Sequence, residues 1–326
     1  MKKTLKFIGG ESALASEEYD LCFTDSGRSS LKLILKSLPK KLKYLLPDFL
    51  CSSVIDVFDK LGLKYSFYKI KSDFSIDAES VSNSKFDVFY NINYFGRINK
   101  PQSFIGTDKI LIDDNVFLPD FERNEAFEKW AGFNSFRKIS PAADGSILKA
   151  SFKIEKQFSS SSSAPFADLK YQGKAIKYEF LAKGKYSEKK YLSLFNEAET
   201  MLDNQTQIYG ISDRSMAELL KFFKNITKEE TARKKNFAVL AKMFKKSGKP
   251  CKMEFYSFYP LLLEQRDALR KHLLSKNIFL PVHWPGNNQT CNMLYDKIIS
   301  IPLDSRYSES DMKRAAKAIL DFYMKS

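Results

Sequence analysis

An alternation of short apolar segments with helical patterns, from about residue 20 to residue 150, constrains the fold of this chain most strongly. Apolar runs of strand length occur at residues 44–49, 64–70, 87–95, 109–112 and 146–152. Residues 29–38 and 51–61 instead place apolar side chains at helical intervals of three and four. Strands separated by helices predict an α/β fold, with a mostly parallel sheet sandwiched by helices.

The second half of the sequence is richer in helical patterns and predicts a smaller C-terminal α+β domain. Long amphipathic patterns cover residues 227–244 and 263–275, and the capping sequence SESD at residues 308–311 begins a final helix. Apolar runs at residues 252–257 and 298–303 predict two strands beside these helices.

The length of 326 residues suits about two domains. We predict a large domain over residues 1–215 and a small one over residues 216–326. No apolar run approaches the ~20 residues that cross a bilayer, and the first ten residues lack the apolar core of a secretory signal. The sequence therefore predicts a cytoplasmic protein without a membrane span.

Cysteines and histidines are too few and too scattered for a zinc site or a disulfide framework. No two of the cysteines form a CxxC pair. The residues are Cys22, Cys51, Cys251, Cys291, His272 and His283. We therefore predict no metal site, and we expect Cys251 and Cys291 to be structural.

The net charge of +14 has two interpretations. It can create a surface that attracts nucleic acid, membrane or a phosphorylated small molecule, or it can reflect scattered and solvated lysines. The lysines are dispersed, no long basic tail occurs, and no recognisable nucleic-acid-binding motif accompanies them. We favour scattered charges, with a phosphate-bearing substrate as the next interpretation, and we expect no nucleic-acid partner.

Three segments of the first half carry side chains that could bind a ligand. The first is TDSGRSS at residues 24–30, between a predicted strand and a predicted helix. Such a turn presents free backbone N–H groups and hydroxyls at a helix N-terminus, which suits a phosphate. A serine or aspartate there can also simply cap the helix, and the residues alone leave both functions open.

The second segment is KILIDDN at residues 109–115. Acidic residues directly after an apolar strand lie at the carboxyl edge of a sheet, where open α/β sheets bind their ligands. A carboxylate there can hold a protonated ring nitrogen or a metal ion. It can equally be an ordinary acid of a turn.

The third segment is FNSFRKISPAADG at residues 133–145. A lysine is ordinarily a solvated surface residue, and Lys138 alone carries no signal. Its setting is a short semi-apolar run that ends in Pro and Asp-Gly and then re-enters a strand. A partly buried Lys138 beside Arg137 would have a lowered pKa and could form an imine at neutral pH.

Further stretches occur in a fixed order with these three segments. They are LPDFLCSSV at 46–54, NYFG at 93–96, LPVHWP at 280–285 and SIPLD at 300–304. In this order and spacing the set resembles the DegT/StrS family of sugar aminotransferases, which are pyridoxal-phosphate enzymes of fold type I. The resemblance covers roughly residues 20–325, nearly the whole chain.

The resemblance implies a pyridoxal 5'-phosphate site. Lys138 would hold the cofactor as a Schiff base, and Asp114 would pair with its pyridine nitrogen. The turn at 27–29 and Ser135 would bind the phosphate, and Cys51 stands where many members have a ring stacked on the cofactor. The residues that the resemblance places around the cofactor are Gly27, Arg28, Ser29, Cys51, Asp114, Phe117, Ser135 and Lys138.

Other positions match the substrate side and the subunit interface of the family. Asn93, Tyr94, His283 and Trp284 match substrate-side positions, although His283 and Trp284 can also pack the small domain against the active-site mouth. Ser212 and Arg214, within GISDR at 210–214, would reach across the interface of a homodimer.

The resemblance implies transfer of an amino group from glutamate to a keto sugar, which is nucleotide-linked in the family, as in sugar and polysaccharide biosynthesis. Some positions depart from the family pattern: Ser146 replaces a glycine, Asn93 replaces a histidine, and Phe117 replaces a histidine or glutamine. These departures support an alternative, a cofactor-binding homologue that catalyses a different reaction or has lost transamination.

Overall fold

A seven-stranded sheet forms the centre of the protein. The computed structural model describes residues 19–161, 163–244, 253–286, 290 and 292–324. The strands are β1 Asp20–Thr24, β2 Lys43–Pro47, β3 Lys64–Tyr68, β4 Val88–Ile92, β5 Ile110–Asp114, β6 Trp130–Phe133 and β7 Ser146–Ala150. Their order in the sheet is β1-β7-β6-β5-β4-β2-β3.

The sheet is mostly parallel, as the sequence predicted. Strands β3, β2, β4, β5 and β6 run parallel to one another, and only β7 is antiparallel to its neighbours β1 and β6. Every residue of β4 and β5 is buried, so both faces of the sheet are covered at its centre. Burial on both faces explains the apolar residues with which these strands begin, and the polar residues Asn91, Asp113 and Asp114 are confined to their carboxyl-terminal halves.

Helices flank this sheet. They are α1 Gly27–Lys36, α2 Ser52–Lys60, α3 Ala78–Ser82, α4 Pro165–Lys183, α5 Glu188–Asn204 and α6 Asp213–Lys224. The apolar spacing of α1 buries Leu31, Ile34 and Leu35 on one face, which packs against β1, β6 and β7. Helices α4 and α5 pack against each other.

The strand register aligns the carboxyl ends of β4, β5 and β6. Ile92 at the end of β4 lies opposite Asp114 at the end of β5, and Asp114 lies opposite Phe133 at the end of β6. The carboxyl ends of three parallel strands therefore meet, and the segments that follow them converge on one place.

The C-terminal part forms a second, smaller sheet with its own apolar cluster. Its elements are α7 Ile226–Met243, β8 Phe258–Leu262, α8 Arg266–Leu274, α9 Leu294–Lys297, β9 Ile298–Pro302 and α10 Glu309–Met324. Strands β8 and β9 are antiparallel, and the cluster includes Leu240, Leu269, Ile299 and Ile319.

The strand predicted at residues 252–257 is wrong over the described residues 253–257, because the chain there packs against the turn Tyr94–Gly96 that follows β4. The backbone N–H of Glu254 donates to the carbonyl of Gly96 at 2.8 Å. A Cβ on Gly96 would lie 1.7 Å from the Phe255 carbonyl oxygen, so only glycine allows this approach. The strand instead begins at Phe258, six residues after the predicted start, and Tyr259 and Leu261 belong to the smaller apolar cluster.

The boundary predicted between residues 215 and 216 falls inside α6. The main apolar core also takes in residues well beyond this point, including Phe222, Phe255 and Trp284. The division into two domains stays a prediction. Over the described ranges, no helix combines the length and apolar character that crossing a membrane requires.

Candidate active site

A cavity of about 330 Å³ opens at the carboxyl edge of the large sheet. This volume lies at the lower end of the range for small-molecule sites. The structure brings many of the residues singled out from the sequence to its wall. Those that line the cavity are Gly27, Arg28, Cys51, Asp114, Ser135, Lys138, His283 and Trp284.

The turn before α1 both caps the helix and faces the cavity. The Oγ of Ser26 accepts from the backbone N–H of Ser29 at 3.3 Å, which is an N-cap bond. Ser26, Gly27 and Arg28 also line the cavity. A Cβ on Gly27 would lie 3.1 Å from the carbonyl oxygen of Asn134, so the glycine permits close packing of this turn. Capping and an anion site are therefore compatible here.

Asp114 is the acid that faces the cavity. It is the last residue of β5, and it is 5% exposed. Tyr90 Oη donates to Asp114 Oδ2 at 2.7 Å, and the backbone N–H of Val116 donates to Oδ1 at 3.0 Å. Burial, aided by the charge of Asp113, raises the pKa of Asp114 to about 7 against these two hydrogen bonds, which lower it.

Asp113 points to the opposite face of the sheet, as the period of two in a strand requires. Its carboxylate accepts from Asn91 Nδ2 and from Trp130 Nε1, both at 2.7 Å. It lines a second cavity, of about 720 Å³, together with Asn93 and Asn115. Within the described residues no group of acids, histidines and cysteines has the arrangement of a metal site.

Lys138 ends a short 3₁₀ turn, Phe136–Lys138, that follows β6. Its side chain lines the cavity, and within the described part of the chain the amine makes no hydrogen bond. Burial, followed by the positive charge of Arg137, lowers the pKa of Lys138 to about 8, while Cys51 and Glu199 act in the opposite direction. A neutral amine is the form that attacks a carbonyl carbon.

We expect the reactivity of Lys138 toward acylating reagents to level off above about pH 8. Below that pH it should fall about tenfold per unit as the amine is protonated, because its pKa lies near 8 rather than 10.5. Trace acetylation with acetic anhydride from pH 6 to pH 10, quantified peptide by peptide by mass spectrometry, measures this profile. Reactivity that still rises tenfold per unit near pH 10 would contradict the lowered pKa.

The segment that contains Pro281, His283 and Trp284 closes another wall of the cavity. Trp284 packs against Phe49 and Phe117, with ring centroids 5.3 and 6.1 Å apart. His283 is 5% exposed, and burial together with the charge of Lys138 lowers its pKa to about 3. Its Nδ1 has no hydrogen-bond partner within the described residues. The imidazole is therefore neutral at physiological pH, and it packs beside the amine.

Some predicted cofactor residues do not reach the cavity wall. Ser29 is buried in the first turn of α1, where its backbone serves the cap. Phe117 is fully buried behind the wall, stacked on Phe95 with ring centroids 4.9 Å apart. Cys51 does line the cavity, and its Sγ accepts from Ser53 Oγ at 3.1 Å. Cys251 and Cys291 lie outside the described residues.

Asn93 and Tyr94 are likewise outside the cavity that holds Lys138. Asn93 Nδ2 donates to Asn115 Oδ1 at 2.7 Å, in the polar network around Asp113 on the other face of the sheet. Tyr94 is buried, its hydroxyl donates to the Phe49 carbonyl, and its ring packs near Trp284. A contact of either residue with the substrate stays a prediction.

Ser212 and Arg214 have partners within their own chain. Ser212 caps α6, and its Oγ donates to Asp144 Oδ1 at 2.7 Å. The Arg214 guanidinium lies 4.0 Å above the ring of Tyr171. Neither residue lines the cavity of this chain. Their role across a subunit interface stays a prediction.

Glu199 is a charged residue of the cavity wall that the sequence did not predict. Glu199 lies on α5, and its Oε1 accepts from Arg137 Nη1 at 2.8 Å. It also pairs with Lys170 on α4. An acid in the middle of a polar helix carries no local signal, and its distance of sixty-two positions from Arg137 hides the pairing.

No protein-family model and no curated protein matches the sequence. Solved structures do match the fold. A DegT/DnrJ/EryC1/StrS aminotransferase from Brucella abortus is 14% identical, with a TM-score of 0.61, over 93% of this chain and 85% of its own. PseC of Helicobacter pylori, an aminotransferase of pseudoaminic acid biosynthesis, is 14% identical, with a TM-score of 0.63, over 94% and 87%.

The putative sugar aminotransferase Spr1654 of Streptococcus pneumoniae, solved in its pyridoxal-phosphate form, gives a similar match. It is 13% identical, with a TM-score of 0.62, over 92% of this chain and 86% of its own. At these identities the likeness shows the fold. It confirms the predicted α/β architecture of fold type I, in which the sheet and its flanking helices are arranged as in these sugar aminotransferases.

Proposed function

We propose that this protein is a pyridoxal-phosphate-dependent aminotransferase that moves an amino group from an amino acid to a keto sugar. The observation that carries the proposal is the meeting of the Lys138 amine and the Asp114 carboxyl in one cavity of this fold. The putative sugar aminotransferase Spr1654, which has the same fold, is solved in a pyridoxal-phosphate form and in a pyridoxamine-phosphate form. By the resemblance of its motifs, the donor is glutamate and the acceptor a nucleotide-linked sugar.

The residues of the cavity fit the parts of this cofactor. Lys138 offers a primary amine of lowered pKa for the aldehyde, and Asp114 offers a buried carboxylate for the ring nitrogen. The Ser26–Arg28 turn and Ser135 offer backbone N–H groups, hydroxyls and a guanidinium for the phosphate. The pKa of Asp114 lies near 7, and a cationic N–H facing the carboxyl would lower that pKa and keep the carboxylate ionised.

When bound, pyridoxal phosphate supplies an electron sink for the charge left on a substrate carbon that loses a proton. Lys138 Nζ is the base that accepts this proton, and it returns the proton in the reverse direction. Asp114 would stabilise a positive charge on the ring nitrogen of the cofactor. The hydroxyl of Tyr90 and the backbone N–H of Val116 hold its carboxylate in place. Trp284 and His283 limit the access of water to the Lys138 amine.

We further propose a homodimer in which Ser212 and Arg214 approach the neighbouring site, and a cytoplasmic enzyme of sugar and polysaccharide biosynthesis. Large apolar side chains exposed on α4, α5 and α6 support an association of subunits. They are Tyr178, Leu181, Leu192, Met201, Leu220 and Phe223. We retain residues 1–215 and 216–326 as approximate domains of this enzyme.

A second candidate is a cofactor-binding homologue that performs a different reaction or no longer transaminates. Phe117 supports it, since this side chain lies behind the wall and has no group that could hydrogen-bond a cofactor hydroxyl. Asn93, on the other face of the sheet, does not replace it. In this case Lys138 would still hold the cofactor.

Spectroscopy of the full-length protein tests both candidates. We expect a yellow absorbance band after addition of pyridoxal phosphate, and borohydride should fix the label on the peptide that contains Lys138. Addition of glutamate, or of another amino acid, should bleach the band if the protein transaminates. A band that no amino donor bleaches would favour the second candidate, and the absence of any label on Lys138 would refute both.

A further inference from the structure

Two acidic residues of α5 pair with two arginines that line the cavity. Glu199 Oε1 lies 2.8 Å from Arg137 Nη1 and also contacts Lys170. Asp203 Oδ1 lies 2.5 Å from Arg28 Nη1. A spacing of four residues places the two carboxylates on one face of the helix. That face therefore lies over the side of the cavity that the Ser26–Arg28 turn forms.

The chain after α5 is fastened to the base of this turn. Gln205 Nε2 donates to Asp25 Oδ2 at 2.9 Å, and the backbone N–H of Tyr209 donates to Asp25 Oδ1 at 3.1 Å. Asp25 is fully buried and directly precedes Ser26. These two hydrogen bonds join the segment after α5 to the residue before the Ser26–Arg28 turn, so the end of the helix and the turn lie next to each other.

The arginines and the turn together provide the groups that an anion needs. Ser26, Gly27, Arg28, Ser135 and Arg137 all line the same cavity. Within the described residues, the guanidinium of Arg137 hydrogen-bonds only Glu199, which leaves other N–H donors of its fork for a ligand. Guanidinium groups bind phosphate oxygens with charge-assisted, often paired hydrogen bonds.

Glu199 carries its negative charge throughout the physiological pH range. Burial acts to raise its pKa, but the charges of Arg137 and Lys170 dominate and lower the pKa to about 2. Its side chain is 41% exposed and that of Asp203 is 60% exposed, so water screens Asp203 more. Both carboxylates repel an anion in the cavity, and Glu199 has the stronger effect.

We propose that Glu199 and Asp203 are resident counter-ions of a phosphate subsite, and that a bound phosphate group competes with them for Arg137 and Arg28. The inference rests on the proposed function for the identity of the ligand, which is the phosphate of the cofactor. The acids neutralise the clustered cations, and a bound phosphate would take over part of that role. The acids thereby reduce the affinity of the site for phosphate.

Titration calorimetry with inorganic phosphate at constant ionic strength tests this competition. We expect Glu199→Gln to bind phosphate about fivefold more tightly than the natural protein, because a repelling charge is removed beside the subsite. Asp203→Asn should gain about twofold, in proportion to its greater exposure. Glu197→Gln is the matched control, since it removes the same charge from an exposed position of the same helix.

Unchanged or weaker phosphate binding in Glu199→Gln, relative to Glu197→Gln, would overturn the proposal, because the acid would then only position Arg137. Circular dichroism verifies that each variant is folded. Should Glu199→Gln fail to fold, Asp203→Asn decides the question, and unchanged phosphate binding in that variant counts against the competition.

Competition experiments identify the source of the phosphate. Pyridoxal phosphate should displace inorganic phosphate, whereas uridine diphosphate, which represents the substrate side, should not. Displacement by uridine diphosphate alone would overturn the assignment to the cofactor. The labelling of Lys138 by pyridoxal phosphate is a separate measurement. A labelled Lys138 without tighter phosphate binding in Glu199→Gln refutes this inference alone. Tighter phosphate binding in Glu199→Gln without a label on Lys138 refutes the proposed function alone.

Discussion

Replacement of Lys138 by methionine should abolish covalent attachment of pyridoxal phosphate and reduce transamination by at least about 10³-fold. Methionine has nearly the length of lysine, so it fills the same part of the cavity without an amine. Both the covalent link and the positioned base are lost, and a positioned acid or base alone contributes about 10²–10⁴-fold. Borohydride labelling with peptide mapping, and amino transfer to a keto sugar, measure the two losses.

Lys174 provides the matched control for this experiment. Burial and the charge of Lys170 lower its pKa to about 8 as well, but it donates to the carbonyls of Pro141 and Ala142 and does not line the cavity. We expect Lys174→Met to keep the label on Lys138 and most of the activity. Full activity in Lys138→Met, or a label that moves to Lys174, would remove the basis of the proposed function.

Asp114→Asn should lower the turnover number by about 10²–10³-fold, the size typical of the loss of one electrostatic group in a site that excludes water. An asparagine keeps the shape and can still accept from Tyr90 or Val116, but it cannot stabilise a positive charge on a ring nitrogen. Steady-state kinetics measure the change. We expect the Lys138 label to persist in this variant, because the amine is untouched.

Stability measurements separate this catalytic loss from a loss of fold. Folding raises the pKa of Asp114 from 3.8 to about 7, so between these values the folded state binds more protons than the unfolded one. The contribution of this carboxyl to stability is therefore largest at low pH and is lost as the pH rises through 7. The free energy of unfolding of Asp114→Asn, measured without cofactor, should therefore not fall as the pH rises through 7, and the variant should remain folded at pH 8.

A turnover number of Asp114→Asn within about threefold of the natural one would contradict the role of Asp114.

Asp113→Asn is the control for position. Asp113 is as deeply buried as its neighbour, but it faces Asn91 and Trp130 on the other side of the sheet. Its replacement should affect stability more than turnover. An equal loss of turnover in Asp113→Asn and Asp114→Asn would indicate general damage to β5. The position of Asp114 in the cavity would then not explain the result.

The local pattern of the sequence determined the sheet and the segments that bear the site. Strands β4 and β5 are recognisable because burial on both faces favours the apolar runs with which they begin, residues 88–90 and 110–112. The sheet-edge argument singled out the acids at the end of β5, because ligands of open α/β sheets bind at the carboxyl ends of the strands. Lys138 and the Ser26–Arg28 turn were instead selected by the order of motifs that resembles the DegT/StrS family, and that order extends over nearly the whole chain.

The tertiary structure decided which of the candidate side chains meet. Two adjacent acids end β5, and only the register of the strand in the sheet sends Asp114 to the cavity and Asp113 away from it. Packing places Phe117 behind the wall and Asn93 on the other face. The counter-ion Glu199 reaches Arg137 only through the packing of α5 over the cavity. Such contacts depend on long-range packing, which produces no periodic pattern in the sequence. Helices and strands, in contrast, repeat about every 3.6 and every two residues, so their apolar faces can be recognised from the sequence.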